Sequence, residues 1–174
     1  MPPVASRSAH DALALAALAV VAAGASAWAL LGGETRLAGI AVLVAGLAAS
    51  SASVLADRAG SPRAGFAAEA AERLFDAGSL APLVWVAHES GSRVAALALV
   101  VLGTGAMAAY VRARGRGLGY RVPLWPAYRA GRGVALAVGL LAIRPEPALW
   151  AMLAADVAVG VARWRRVAVA GDAA

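Results

Sequence analysis

The arginines of this chain alternate along its length with long apolar stretches. Six predominantly apolar stretches cover residues 12–31, 37–56, 64–87, 94–111, 127–143 and 147–163. An apolar helix of about twenty residues crosses the hydrocarbon core of a bilayer, because its backbone amides are satisfied within the segment. The sequence therefore predicts an all-α polytopic membrane protein, a bundle of six transmembrane helices forming one domain over residues 1–174.

The connections between these stretches differ in their arginine content. Alternate connections hold twelve arginines against three, and Arg73 lies inside the third stretch. Arginine is enriched in the short connections on the cytoplasmic side of membrane proteins. We therefore expect a multi-pass protein of the cell membrane (inner or plasma) with both termini in the cytoplasm.

The composition excludes several classes of function. The chain is 61% hydrophobic and has no cysteine, which excludes disulfides, thiolate catalysis and cysteine-ligated zinc. Its net charge of +6 comes from arginines that flank apolar stretches, where they meet anionic lipid head groups. We expect contact with membrane lipid and none with nucleic acid. The first residues lack a signal-peptide cleavage pattern, so the first stretch is expected to remain as a span.

One region resembles a known membrane enzyme family. Residues 43–60, with Gly65 and Phe66 after them, are similar to the second and third helices of the CDP-alcohol phosphatidyltransferase family. That family carries D-x-x-D-G-x-x-A-R on the second helix and G-x-x-x-D-x-x-x-D on the third. The bacterial phosphatidylinositol-phosphate and phosphatidylglycerol-phosphate synthases are the members that the chain resembles most.

Other segments match the family in order and spacing. Residues 81–85 end in Trp85, as an apolar stretch of the family often does. Residues 110–119 resemble the family's Tyr-x-(Lys/Arg)-Ala-Arg-Ala-Glu-x-x-Gly, and residues 128–132 stand where members have Glu-Arg-x-(Glu/Asp)-Arg. Residues 148–166 resemble the sixth helix with its basic tail. The resemblance covers most of the chain.

The resemblance implies a fold, a chemistry and a set of partners. Members transfer a phosphatidyl group from CDP-diacylglycerol to an alcohol and release CMP. Carboxylates hold Mg²⁺ or Mn²⁺, which neutralises the pyrophosphate, and the last Asp takes the acceptor's proton. The implied fold is the family's six-helix bundle, and the implied assembly is a homodimer.

This chain departs from the family at the metal-binding positions of the second helix. The two Asp positions fall on Ala49 and Ala52, the motif Gly on Ser53 and the motif Arg on Asp57. Of that signature only Ala56 is kept. Because loss of metal ligands removes metal-assisted chemistry, we expect a catalytically degenerate member of phospholipid metabolism. Mg²⁺ or Mn²⁺ is implied only for an active protein.

The third helix keeps acids on one face. Glu69, Glu72, Arg73 and Asp76 follow the spacing of a single helical face. One interpretation is a relic metal site formed by Glu69, Glu72 and Asp76. The other, which we favour, is an ion-paired face in which Arg73 pairs with Glu69 and Asp76 within the helix. Both interpretations place these acids in the bundle interior or at its aqueous mouth.

Four arginines stand where the family binds a phosphate of its acceptor. They are Arg112, Arg114, Arg129 and Arg132. A guanidinium suits phosphate geometry, so these residues are candidates for phosphate or head-group binding. The alternative is that they only set the membrane topology.

Two expectations about geometry follow from the resemblance. Ala49 and Ala52 should face Glu69 and Glu72 across a cleft between the second, third and fifth spans. Asp156, a lone acid of the sixth span, should pair with an arginine near the C-terminal tail.

Two further functions compete with a degenerate transferase. One is an active, diverged transferase that uses CDP-diacylglycerol and a phosphorylated or polyol acceptor. The other is a non-catalytic protein of unrelated function that binds lipid or a partner subunit. A small channel or transporter is disfavoured, because the chain has no inverted repeat and little polar lining.

Overall fold

The computed structural model describes residues 4–88, 92–120 and 122–171, with side chains described from residue 7 to residue 168 of these ranges. The described residues form six α-helices and no strand, which confirms the all-α prediction. They are α1 (Val4–Leu31), α2 (Thr35–Ala59), α3 (Pro62–His88), α4 (Arg93–Gly117), α5 (Pro126–Leu141) and α6 (Pro145–Gly171).

Proline and glycine mark several helix boundaries. The first residues of α3, α5 and α6 are Pro62, Pro126 and Pro145, a position where the missing N–H would have no partner within the helix. After α2 the chain turns through Gly60, whose φ of 60° is left-handed and suits a residue without Cβ. The fifth predicted stretch extended to residue 143, whereas α5 ends at Leu141.

The helices form a closed ring in the order α1, α2, α5, α6, α4 and α3, with α2 and α3 also in contact across it. Two apolar clusters lie inside. One contains the larger side chains, including Val42, Phe75, Leu80 and Leu136. The other lies where α1, α2 and α3 meet and is built almost entirely of alanines, so these three helices pack closely.

Glycine allows the closest crossing of the bundle. A Cβ built on Gly46 of α2 would lie 2.8 Å from the Cα of Gly133 of α5, and one on Gly133 would lie 2.9 Å from the Cα of Gly46. Contacts that short are sterically forbidden, so both positions require glycine at this separation. The crossing holds the middle of α5 against the middle of α2 and thereby positions the charged side chains that precede Gly133.

Three helices are long and apolar enough to cross a membrane: α1 over Arg7–Leu31, α2 and α4. Their outer faces expose large apolar side chains such as Val21, Trp28 and Met107. These features indicate a membrane protein. In the described part of the chain, α3 and α6 carry several charges, and α5 has only 16 residues. For these three helices a membrane crossing stays a prediction.

Candidate functional site

A group of charged side chains fills the interior of the ring between α3 and α5. No Cα of α3 lies within 8 Å of a Cα of α5 in the described residues, so only long side chains connect the two helices. We call this group the charged cluster. It consists of Glu69, Glu72, Arg73 and Asp76 of α3, Arg112 and Arg116 of α4, Arg129 and Arg132 of α5, and Asp156 and Arg163 of α6.

Glu72 lies where three helices meet in this cluster. Its carboxylate forms an ion pair with Arg129 and accepts a hydrogen bond from the Ser53 hydroxyl at 3.0 Å. Arg129 also donates to the Ser53 oxygen at 2.7 Å. Ser53 therefore links α2 to both members of the pair. The Glu72 carboxylate is therefore bound by protein side chains in this network.

Asp76 and Asp156 hold Arg132 between them. Arg132 Nη1 lies 2.9 Å from Asp76 Oδ1, and its Nε lies 3.1 Å from Asp156 Oδ1. Arg73 also pairs with Asp76, at 3.1 Å. Arg132, Asp76 and Asp156 are all buried. Because a buried charge is costly without a partner, this arrangement ties α3, α5 and α6 together.

Asp156 pairs with Arg132 of α5, so the expected pairing with an arginine near the C-terminal tail is wrong. It also accepts hydrogen bonds from Tyr128 at 2.7 Å and Thr104 at 3.2 Å. The reason is position along α6: the first tail arginine, Arg163, is seven residues further on, about 10 Å along the helix axis. Asp156 faces α5 at the level of Arg132 instead.

Glu69 pairs with α4, so the proposed pairing of Glu69 with Arg73 within α3 is also wrong. Its Oε1 lies 2.8 Å from Arg112 Nη1 and 3.7 Å from Arg116 Nη1. The predicted pairing of Arg73 with Asp76 is present. Long arginine side chains from the end of α4 reach Glu69, whereas Arg73 points toward Asp76 and donates to the Gly105 carbonyl at 3.3 Å.

Two cavities adjoin the charged cluster. The outer cavity, of about 500 Å³, lies at one end of the bundle between the end of α2, the start of α3, the end of α4 and the start of α5. Its charged lining is Asp57, Glu69, Arg112, Arg116 and Arg129. The inner cavity leaves only about 30 Å³ for the centres of water-sized molecules. Its charged lining is Glu72, Arg73, Asp76, Arg129, Arg132 and Arg163.

The four arginines predicted to bind phosphate fall into separate places. Arg112 and Arg129 line the outer cavity, while Arg132 lies at the inner one between two aspartates. Arg114 is exposed on α4 and is not part of either lining. Arg116, which the sequence did not single out, lines the outer cavity and is half exposed.

Ala49 and Ala52 both face the protein interior, but they have different surroundings. Ala49 lines the inner cavity together with Glu72. Both alanines belong to the alanine cluster, together with Ala68 and Ala71 of α3, and Ala52 is fully buried there. Ala49 therefore lies beside an acid of α3 at the edge of this cluster, whereas Ala52 lines neither of the two cavities.

The donor set does not fit a divalent cation. Among the described residues no three His, Asp or Glu side chains are grouped so that they could hold a metal ion. Glu69, Glu72 and Asp76 each pair with arginines, and α2 presents methyl groups at both motif positions. A hard dication needs about six oxygens around it. The arrangement instead suits anions, because guanidiniums outnumber carboxylates.

Besides Arg116, sequence reasoning missed Arg163 as a member of the cluster, and it missed two contacts to the cluster: Ser53 as a link between Glu72 and Arg129, and Tyr128 as a donor to Asp156. A signal for Arg163 was present, because seven residues separate it from Asp156 and place both on one face of α6.

The comparisons with protein-family models, with curated proteins and with solved structures found no match for this chain.

Proposed function

We propose that this chain is a six-span membrane protein of the CDP-alcohol phosphatidyltransferase type whose site no longer catalyses transfer and instead binds anionic lipid head groups. The observation that carries the proposal is the pairing of every candidate metal-binding acid of α3 with an arginine. Guanidiniums stand where the family's chemistry requires a dication.

The burial of charge supports six crossings. The charged residues that make α3, α5 and α6 less apolar than the other helices include Glu72, Asp76, Arg132 and Asp156, and all of these are buried inside the ring. Intramembrane charges are tolerated when they face the bundle interior and pair with one another. The outer faces of these helices still expose apolar side chains such as Trp150 and Val138.

The loss of transfer chemistry follows from what the carboxylates contact. Metal-assisted transfer needs an ion that touches both the pyrophosphate and the protein's acids. Here Glu72 is engaged by Arg129 and Ser53, and Asp76 by Arg73 and Arg132.

The outer cavity supports a head-group site. It is large enough for a phosphodiester head group, and three arginines line it against two acids, Asp57 and Glu69. In the proposed topology this end of the bundle is cytoplasmic, since it contains the arginine-rich connections. A phosphate of an anionic lipid would meet Arg116 first, because that side chain is 49% exposed.

The proposal is tested by CMP release. Purified protein in neutral detergent is given CDP-diacylglycerol, Mg²⁺ or Mn²⁺, and glycerol phosphate, inositol phosphate, serine or inositol. We expect no CMP above the background of protein-free micelles. Metal-dependent CMP release would overturn the non-catalytic proposal and make Glu69, Glu72 and Asp76 the active site.

A further inference from the structure

Arg163 is a buried charged side chain that has no ion-pair partner among the described residues. It is 2% exposed, yet no carboxylate of the described residues lies within 4 Å of its guanidinium. Nη1 donates to the Ala108 carbonyl at 2.8 Å, and the ring centroids of Trp125 and Tyr128 lie 5.5 and 5.7 Å from Cζ. In the described structure Nε and Nη2 have no hydrogen-bond partner.

The inner cavity that Arg163 lines carries an excess of positive charge. Four guanidiniums line it, and three of them have carboxylate partners among Glu72, Asp76 and Asp156. The fourth guanidinium is Arg163. A buried, unpaired charge costs several kcal/mol in general, and cation–π contact with two rings offsets only part of that cost.

We infer that the inner cavity binds one small monovalent anion, chloride being the probe we name, whose negative charge compensates the guanidinium of Arg163. The inference does not depend on the proposed head-group site. One negative charge is what Arg163 lacks, since the other three guanidiniums that line the cavity each pair with a carboxylate.

The volume of the inner cavity limits the size of the anion that it can hold. About 30 Å³ for the centres of water-sized molecules is room for one small ion, since about 10–15 Å³ holds a water molecule. A phosphodiester needs the outer cavity instead. Ala49, Ser50 and Gly105 are among the uncharged residues that line the cavity. Gly105 leaves room for the Arg132 guanidinium, because a Cβ there would lie 2.7 Å from Arg132 Nη2.

The experiment compares thermal unfolding in chloride and in gluconate. The full chain is purified in neutral detergent without anionic lipid, and Tm is followed by tryptophan fluorescence at constant ionic strength. Chloride about a hundredfold above its Kd should raise Tm by at least about 5 °C, and Tm should rise with the logarithm of the chloride concentration. Arg163→Met should lose this response, while Arg165→Met, at an exposed position of the same helix, should keep it.

Two further measurements keep the test decisive if Arg163→Met does not fold. Ala49→Asp adds a carboxylate to the wall of the same cavity, so it should remove the chloride response while Arg163 stays in place. Chloride NMR lines should broaden with wild-type protein and sharpen when bromide is added. Absence of broadening, or an equal chloride response in wild type and Ala49→Asp, would overturn the inference. Stabilisation by anionic lipid alone, with none by chloride, would overturn it as well.

Discussion

Glu72 of α3 and Arg129 of α5 form an ion pair whose side chains are 9% and 10% exposed, and it joins two helices that have no close backbone contact in the described structure. Ser53 bonds to both partners. The pair therefore provides a direct link between α3 and α5 across the interior of the ring. This position gives Glu72 a structural role in the bundle.

Removing one partner of this pair should be far more damaging than removing both. Glu72→Met and Arg129→Met should each lower the free energy of unfolding by about 3–5 kcal/mol, because each leaves an uncompensated buried charge. The double variant should recover at least about 2 kcal/mol of the summed losses, since two apolar side chains replace two charges. Denaturant unfolding in detergent measures all three.

The control for that series is Arg58→Met, an exposed position near the end of α2. It should change the free energy of unfolding by less than about 0.5 kcal/mol. Strict additivity of the Glu72 and Arg129 substitutions would show that the two side chains do not interact.

The glycine crossing predicts a contrast between two positions of α5. Gly133→Ala should lower the free energy of unfolding by about 1–3 kcal/mol, because its Cβ would collide with the Gly46 backbone. Gly131→Ala, two residues earlier, has nothing within 4 Å of the added Cβ and should be neutral or stabilising by up to about 1 kcal/mol. Equal effects at the two positions would contradict the close crossing of α2 and α5.

The two alanines at the motif Asp positions should respond differently to an acid. Ala52→Asp places a carboxylate in the alanine cluster and should destabilise the fold by several kcal/mol, as a buried, unpaired charge does. Ala49→Asp places it beside the arginines of the inner cavity and should be tolerated. Thermal unfolding of the two variants measures the difference, and a more severe loss for Ala49→Asp would refute the described surroundings.

The six-span topology predicts a pattern of accessibility. Because the natural chain has no cysteine, each single-cysteine variant reports one position. Cysteines at the exposed positions Glu34, Arg93 and Arg144 should react with an impermeant maleimide in intact cells. Those at Arg63 and Arg116 should react only after the membrane is opened. A reversed result at any of the five would break the six-span arrangement.

The head-group proposal separates two arginines of α4. Arg116→Met should weaken binding of short-chain phosphatidylglycerol about fivefold, since one arginine near a lipid phosphate contributes about 1 kcal/mol. Arg114→Met should change the affinity less, because Arg114 does not line the outer cavity. Isothermal titration calorimetry in neutral detergent compares the two. Equal losses would show that the cavity is not the binding site.

The pattern of apolar stretches predicted the all-α class, because a stretch of about twenty apolar residues satisfies its own backbone amides in a bilayer as a helix. The spacing of Glu69, Glu72 and Asp76 also predicted that these acids share one face of α3. Arg112 and Arg114 are two residues apart on α4, which puts them on different faces of the helix. Which of the two faces the outer cavity was decided by how α4 packs.

The sequence by itself determined which charges lie on which helix face and left each long side chain with several possible partners. Tertiary structure decided the pairing. Glu69 pairs with Arg112 rather than with Arg73, and Asp156 pairs with Arg132 rather than with a tail arginine. The physical reason is that Coulomb attraction depends on separation and burial, both of which follow from how the ring closes. The same closure left Arg163 buried without a carboxylate among the described residues, which no local pattern encodes.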